Sequence, residues 1–233
     1  MKTKNNIKDF NFNINEKKTP FYIQFIWWLV YALLVVILIS QVVFSITHFQ
    51  AVVYGESMQN TLNSKGGNKH DKVFVDKYSS VEVGDIVVAE DPFGTQIIKR
   101  VIALEGDILR YEFIEEDQRC VLFINGEKQE ENYIKREVVS NFNYLEKILP
   151  GGDHCVLENV VLNNNGTEQV EDDYFEYVVP KDCVFLMGDN RENSHDSRDY
   201  GAIKIEKVFG VVDYILPYGE SEINFWFRRT FGF

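Results

Sequence analysis

The spacing of apolar residues changes character once along this chain, near residue 48. From residue 19 to residue 55 there is no Asp, Glu, Lys or Arg, and residues 21–47 are dominated by Ile, Leu, Val, Phe and Trp. Crossing about 30 Å of hydrocarbon takes roughly 20 apolar residues, so this run predicts a transmembrane helix over 21–47. It is too long for the apolar core of a cleaved secretory signal, about 7–15 residues. Beyond it the apolar runs are short: 73–75, 86–89, 96–104, 108–114, 120–124, 156–162, 174–179, 184–187 and 208–216. They are rich in β-branched and aromatic residues and punctuated by Gly84-Asp85, Gly106-Asp107 and Asn125-Gly126, which are strand and hairpin signals. Only 132–149 has the pattern of a soluble helix of any length.

The fold class that follows is mainly β: an N-terminal transmembrane helix, then an antiparallel β-sheet domain with an inserted smaller subdomain. Residues 1–20 form an N-terminal segment, 48–126 and 181–233 the β core, and 127–180 the insertion. The insertion holds the loop signal Pro150-Gly151-Gly152, a polar stretch at 163–166, and an acidic run at 168–173 that reads as a solvated surface. The C-terminal stretch 223–233 crowds aromatic rings around Arg228 and Arg229. Alternation of Phe225 and Phe227 fits a terminal strand packed on the core, while rings beside arginines fit a bilayer interface, and both readings stay open.

Charge adds an orientation. The chain carries −12 overall; residues 1–20, with five lysines and two acids, contribute +3, which leaves −15 for the remainder. Lys17 and Lys18 precede the apolar run, so the positive-inside rule places the N-terminus in the cytoplasm and everything after Gln50 outside a single-pass anchor. An acidic domain lacks the clustered basic surface that nucleic acid needs, and no nucleic-acid partner is expected. Cys120, Cys155 and Cys183 are an odd number; three unpaired buried thiols are favoured over one disulfide with a free thiol. No metal is expected, because His154, Cys155 and His195 have no ligand spacing of a known kind. Asn165-Gly166-Thr167 matches a glycosylation sequon that matters only in a eukaryotic secretory host.

Three segments carry candidate chemistry. Ser57 lies in Tyr54-Gly55-Glu56-Ser57-Met58, ten residues past the apolar run, and so within about 36 Å of its end. Lys99 and Arg100 interrupt the otherwise apolar run 96–104, where neighbouring side chains take opposite faces of a strand. A lysine forced toward a packed face loses its charge at lower pH, since burial disfavours the ammonium. The third segment is the polar loop 188–201, Gly-Asp-Asn-Arg-Glu-Asn-Ser-His-Asp-Ser-Arg-Asp-Tyr-Gly, directly after the apolar run 184–187. Its aspartates, paired with Arg100, Arg191 or Arg198, would build a rigid support.

Taken together, the apolar run, the Ser57-Met58 pair, Gly84-Asp85-Ile86-Val87, Lys99-Arg100-Val101-Ile102-Ala103 with Gly106-Asp107, Asn125-Gly126 and the 188–201 loop resemble the type I signal peptidase family, of the bacterial and organellar Ser-Lys dyad type. The resemblance implies Ser57 as nucleophile, Lys99 as general base and Ser194 as a hydroxyl positioning the lysine amine. It implies Asp189, Arg100, Asp196 and Arg198 as supports of a catalytic β core. The family commonly has Pro where Asn60 stands, and some members place a serine hydroxyl in the oxyanion hole where this chain has Gly55, which leaves oxyanion stabilisation to backbone N–H groups. No cofactor is implied.

The activity implied is cleavage of N-terminal signal peptides from exported preproteins after small-x-small motifs. Val53, Tyr54, Leu62, Ile97 and Ile98 are candidates for the shallow pockets that admit only small side chains. The partners implied are signal peptides, the lipid bilayer and the secretion machinery. The alternative is a weakly active or non-proteolytic family member that acts in surface-protein assembly. A Ser-His-Asp hydrolase using His195 is disfavoured, since Asp196 is its immediate neighbour. The penicillin-binding pattern, which needs Lys three residues after Ser, fails at Asn60.

Overall fold

The computed structural model describes residues 20–59, 61–114, 119–134 and 174–231. The chain divides into a unit that ends at Ser45 and a second one, Ile46–Phe233. The first holds most of α1 (Phe21–Thr47), a 27-residue helix long and apolar enough to cross a membrane, with no charged side chain and none buried.

Two antiparallel sheets make up the second unit. The larger has seven strands in the order β1 (His48–Val52), β2 (Lys72–Asp76), β11 (Val208–Leu216), β3 (Ile86–Glu90), β4 (Gln96–Leu104), β9 (Cys183–Met187) and β10 (Ile203–Lys204). The smaller sheet runs β7 (Glu127–Lys128), β6 (Arg119–Ile124), β5 (Ile108–Ile114), β8 (Tyr174–Val178). Asn125 and Gly126, both at positive φ (53° and 82°), make the tight turn between β6 and β7 that their pairing predicts. Of the remaining expectations, the strand at 156–162, the acidic run, the sequon and all but the first three residues of the helix at 132–149 lie outside the described residues; residues 132–134 form a turn.

Alternation along the central strands loads both faces of the large sheet. On β3, Val87 and Ala89 join one core cluster with Val101, Leu186, Tyr200 and Val211. Val88 points the other way, into a cluster with Val53, Met58, Leu62, Val73 and Val75. A third cluster, including Leu109, Leu122, Tyr177, Phe185 and Met187, ties the two sheets together. Each fully enclosed Leu, Met or Phe stabilises the fold by about 1.5–3 kcal/mol.

Two sequence expectations are corrected. The C-terminal stretch forms α3 (Glu222–Phe231), a helix and not a strand. Phe225 and Phe227, which a strand would set on one face, stand about 200° apart around a helix. Cys183 is disulfide-bonded, against the expectation of three unpaired thiols.

Candidate active site

Ser57 sits in the turn that follows β1. Gly55 enters that turn at φ +84°, in the left-handed region that glycine adopts without steric cost. Met58, enclosed in the core beside Leu62, roots the turn, and its sulfur accepts from Asp189 N at 3.4 Å. Asn63 braces it from behind: Nδ2 donates to Val53 O (2.9 Å) and Gly55 O (3.1 Å), while Asn63 and Asp71 exchange backbone-to-side-chain bonds of 2.7 Å each. From the front, Asn190 N donates to Ser57 O at 2.9 Å, Asn190 Nδ2 to Glu56 O at 3.0 Å and Asn193 Nδ2 to Glu56 Oε2 at 2.9 Å.

Lys99 lies opposite Val87 on the neighbouring strand and is only 4% exposed. Burial pushes its pKa down from the ordinary lysine value; the Asp196 carboxylate opposes that shift and the Arg198 charge adds to it. Arg100, on the other face of β4, makes a two-pronged bond to Asp189 (Nε to Oδ1 2.8 Å, Nη2 to Oδ2 2.6 Å) and donates from Nη1 to Gly84 O at 2.7 Å. Thr61 Oγ1 also donates to Asp189, and the Tyr133 ring lies 4.1 Å below the guanidinium.

The loop after β9 closes the arrangement. The enclosed Asp196 carboxylate accepts from Ser194 Oγ (2.6 Å), Gly188 N (2.9 Å) and the Arg198 guanidinium (2.9 and 3.0 Å), and caps α2 (Ser197–Tyr200). Burial alone would raise the Asp196 pKa, but the charge and hydrogen bonds of Arg198, with those of Ser194 and Gly188, outweigh it and hold the carboxyl below its usual range. At Gly188 the chain passes so close to its neighbours that an added Cβ would lie 2.5 Å from Ser57 O, 2.6 Å from Ser194 Cβ and closer still to Ser194 Oγ. Ser57 and Ser194 therefore converge on one glycine, with Asp196 behind Ser194 and a buried amine within reach of the Asp196 charge. Among the described residues, no group of three or more His, Cys, Asp or Glu is placed to hold a metal ion.

A model of the family described as signal peptidase, peptidase S26, matches residues 22–217. The chain belongs to the signal peptidase family. It is 34% identical over 171 residues to signal peptidase I of Bacillus caldolyticus, covering 70% of this chain and 76% of that one. Over 178 residues it is 32% identical to signal peptidase IB of Staphylococcus aureus, covering 74% and 80%. A signal peptidase I of known structure, from Enterococcus faecalis, aligns at 30% identity over 57% of this chain and 97% of that one, with a TM-score of 0.39. Membership makes this chain a peptidase of the signal peptidase I type.

Within this family member, the residues singled out from sequence fall into two groups. Ser57, Gly55, Lys99, Arg100, Asp189, Ser194, Asp196 and Arg198 belong to the network just described. Of the pocket candidates, Val53 and Leu62 are enclosed in the core, Ile97 and Ile98 pack against opposite faces of the sheet, and Tyr54 is 71% exposed against His70, 4.8 Å between ring centroids. His195 is exposed; it bonds to Asp199 at 3.1 Å rather than to Asp196.

Sequence reasoning missed Glu131 and Tyr133. Arg191 makes a two-pronged ion pair with Glu131, whose Oε1 accepts from Tyr133 OH at 3.0 Å. Burial first, then the Glu131 charge, raise the Tyr133 pKa well above the ordinary phenol range, so the hydroxyl stays a donor. Nothing in the sequence marks these two residues, because their role depends on a fold that returns them to Arg100 and Arg191.

Asp189 has a fully buried side chain and Arg100 is 12% exposed, so deleting one partner leaves the other charge enclosed and unpaired. Asp189→Ala is expected to cost about 3–5 kcal/mol, read from chemical denaturation. Glu220→Ala, which removes the half-exposed Arg228 pair, should cost under about 1 kcal/mol.

Proposed function

We propose that this chain is a membrane-anchored serine endopeptidase that removes signal peptides from exported preproteins after small-x-small motifs, with Ser57 as nucleophile and Lys99 as general base. Ser57 Oγ attacks the carbonyl at the cleavage site while neutral Lys99 takes its proton, and the amine of the mature chain leaves with a proton from Lys99. Water, deprotonated by the same lysine, then releases the acyl-enzyme. Ser194 holds the amine, and Arg100, Asp189, Asp196 and Arg198 fix the walls. Backbone N–H groups of the Gly55–Ser57 turn serve the oxyanion. Val53, Leu62 and Ile98, which share one face of the sheet, form the packed wall behind the small-residue pockets, with Tyr54 toward their rim, while Ile97 packs on the opposite face.

The observation that carries this reading is the enclosure of Lys99, within the field of the buried Asp196 carboxylate to which Ser194 is bonded, with the Ser57 turn pressed against Gly188. A lysine with no chemical task has little reason to bear the desolvation. Residues 48–126 and 181–233 act as the catalytic core, with 127–180 inserted. The apolar α1 serves as a single-pass anchor whose preceding lysines stay in the cytoplasm, which puts the catalytic core outside, where it meets signal peptides and the secretion machinery.

Incubating the detergent-solubilised full chain with a preprotein and mapping the cut by mass spectrometry tests the proposal. A single cleavage after a small-x-small motif is expected; no cleavage, or cuts scattered through the mature region, would overturn it.

The pH profile tests the base. Only neutral Lys99 accepts a proton, and burial shifts its titration downward, so kcat/KM should rise with pH along a limb that lies below lysine's ordinary value of about 10.4. A profile that climbs only at or above that value would refute a desolvated base.

A further inference from the structure

The three arginines of the site are turned inward. Arg100 is paired with Asp189, Arg191 with Glu131 and Arg198 with Asp196, and no side chain in these pairs is more than 12% exposed. The rim carries a carboxylate instead. Glu56, one residue before Ser57, is exposed, yet it is not left to sweep through solvent as a long surface side chain ordinarily does. Asn193 Nδ2 donates to its Oε2 at 2.9 Å, and Asn190 Nδ2 donates to its backbone carbonyl at 3.0 Å. Both asparagines come from the 188–201 loop, so the side chain is held on the loop side of the Ser57 turn.

That placement decides which part of a bound chain meets the carboxylate. Residues upstream of the cut, in the cleavage proposed above, lie along the wall of Val53, Leu62 and Ile98, which pack in one cluster. Glu56 faces the other way, toward Asn190 and Asn193. An extended peptide that sets its upstream residues along the wall leaves Ser57 on the loop side, and its first downstream residues pass Glu56. The distances are short. Consecutive Cα atoms are about 3.8 Å apart, so Glu56 begins about 4 Å from Ser57, and two extended residues past the cut span only about 7 Å. Charges at such separations fall inside the Debye length of about 8 Å at physiological salt, and they attract or repel without being screened away.

We infer that Glu56 sets a charge preference for the first two residues of the mature chain, favouring lysine and arginine there over aspartate and glutamate. The inference rests on the signal-peptide cleavage proposed above and narrows its preferred substrates to preproteins whose mature chain begins with basic or uncharged residues. Glu56 takes no part in making or breaking bonds. It acts as a specificity-determining group, through the field of a carboxylate fixed at the rim.

Three versions of one preprotein, with Lys-Lys, Gln-Gln or Glu-Glu as the first two mature residues, test this on the detergent-solubilised full chain. Both positions are changed because successive side chains of an extended peptide take opposite sides, so that one of the two faces Glu56. The parent should cleave the Lys-Lys form with kcat/KM about tenfold above that for the Glu-Glu form, with Gln-Gln between them. This ratio is internal to each protein, so the amount of active enzyme cancels. Glu56→Gln should lower it about fivefold, and Glu56→Arg should bring it below one. Glu192→Gln, which removes an exposed carboxylate from the facing loop, should change it less than about twofold. A parental ratio near one would overturn the inference before any variant is made, and so would a ratio that Glu56→Gln leaves unchanged. Equal falls in Glu56→Gln and Glu192→Gln would assign the preference to the acidic surface as a whole and overturn the role of Glu56. A parent that cleaves none of the three forms refutes the proposed peptidase activity itself, and the inference falls with it.

Discussion

Ser57→Ala and Lys99→Met are each expected to lower kcat/KM for preprotein cleavage by at least about 10³-fold, and combining them should cost little more, because the proposed nucleophile and base would act as one unit. Stability separates a chemical role from a structural one. Lys99 is enclosed and its ammonium is disfavoured by burial, so methionine in its place removes a cost and keeps the volume. The Lys99→Met protein should therefore melt no lower than the parent. Its advantage should also depend on pH. The folded-state pKa of Lys99 lies below the unfolded one, so the unfolded chain binds more protons between the two values and parental stability rises with pH across that window. The gap between variant and parent is then widest below the folded-state pKa and closes as pH approaches about 10.4. Undiminished cleavage by either single variant would remove the proposed dyad.

Gly188→Ala should be nearly as damaging, for a geometric reason. The new methyl group has to displace the Ser57 carbonyl or the Ser194 side chain, and both belong to anchored turns. Ser194 cannot swing away without losing its 2.6 Å bond to Asp196, and the Ser57 turn is held by Asn190. A shift of several tenths of an ångström between Ser57 and Lys99, its proposed base, is expected to cost about 10²-fold in kcat, alongside about 1–3 kcal/mol of stability from overpacking. Single-turnover kinetics on the variant would detect the first and thermal melts the second. Normal kcat with an unchanged melt would show that the glycine has slack that the structure does not suggest.

Much of this fold was legible because its strands alternate or run apolar between strong turn signals. The bounds of β4, β5 and β11 coincide with apolar runs, and β2, β3, β6, β8 and β9 differ from theirs by one or two residues. What escaped lacks such punctuation. β1 follows the membrane-length helix with no turn residue between them, and β10 is only two residues long. The C-terminal helix was hidden by its own composition, since Phe225 and Phe227 two apart imitate a strand, and only the packing of Phe225 on Phe74 decides the matter. At the site, the residue types and their order pointed to Ser57, Lys99 and the 188–201 loop. The supports Thr61, Asn63, Glu131 and Tyr133 could not be read that way, because their contacts cross the sequence at separations that no local pattern encodes.

The order of strands in the large sheet also sets a timetable. β11, the last strand to be synthesised, pairs with β2 on one side and β3 on the other, in the middle of the sheet. Ser57 is made early, the loop that presses against its turn late, and the strand that joins the two halves of the sheet later still. Chains fold as domains complete, and pairings of such long sequence separation form slowly. A nascent copy thus carries Ser57 for most of its own synthesis without the 188–201 loop and β11 around it, and on the mechanism proposed here its site is complete only once those late residues arrive.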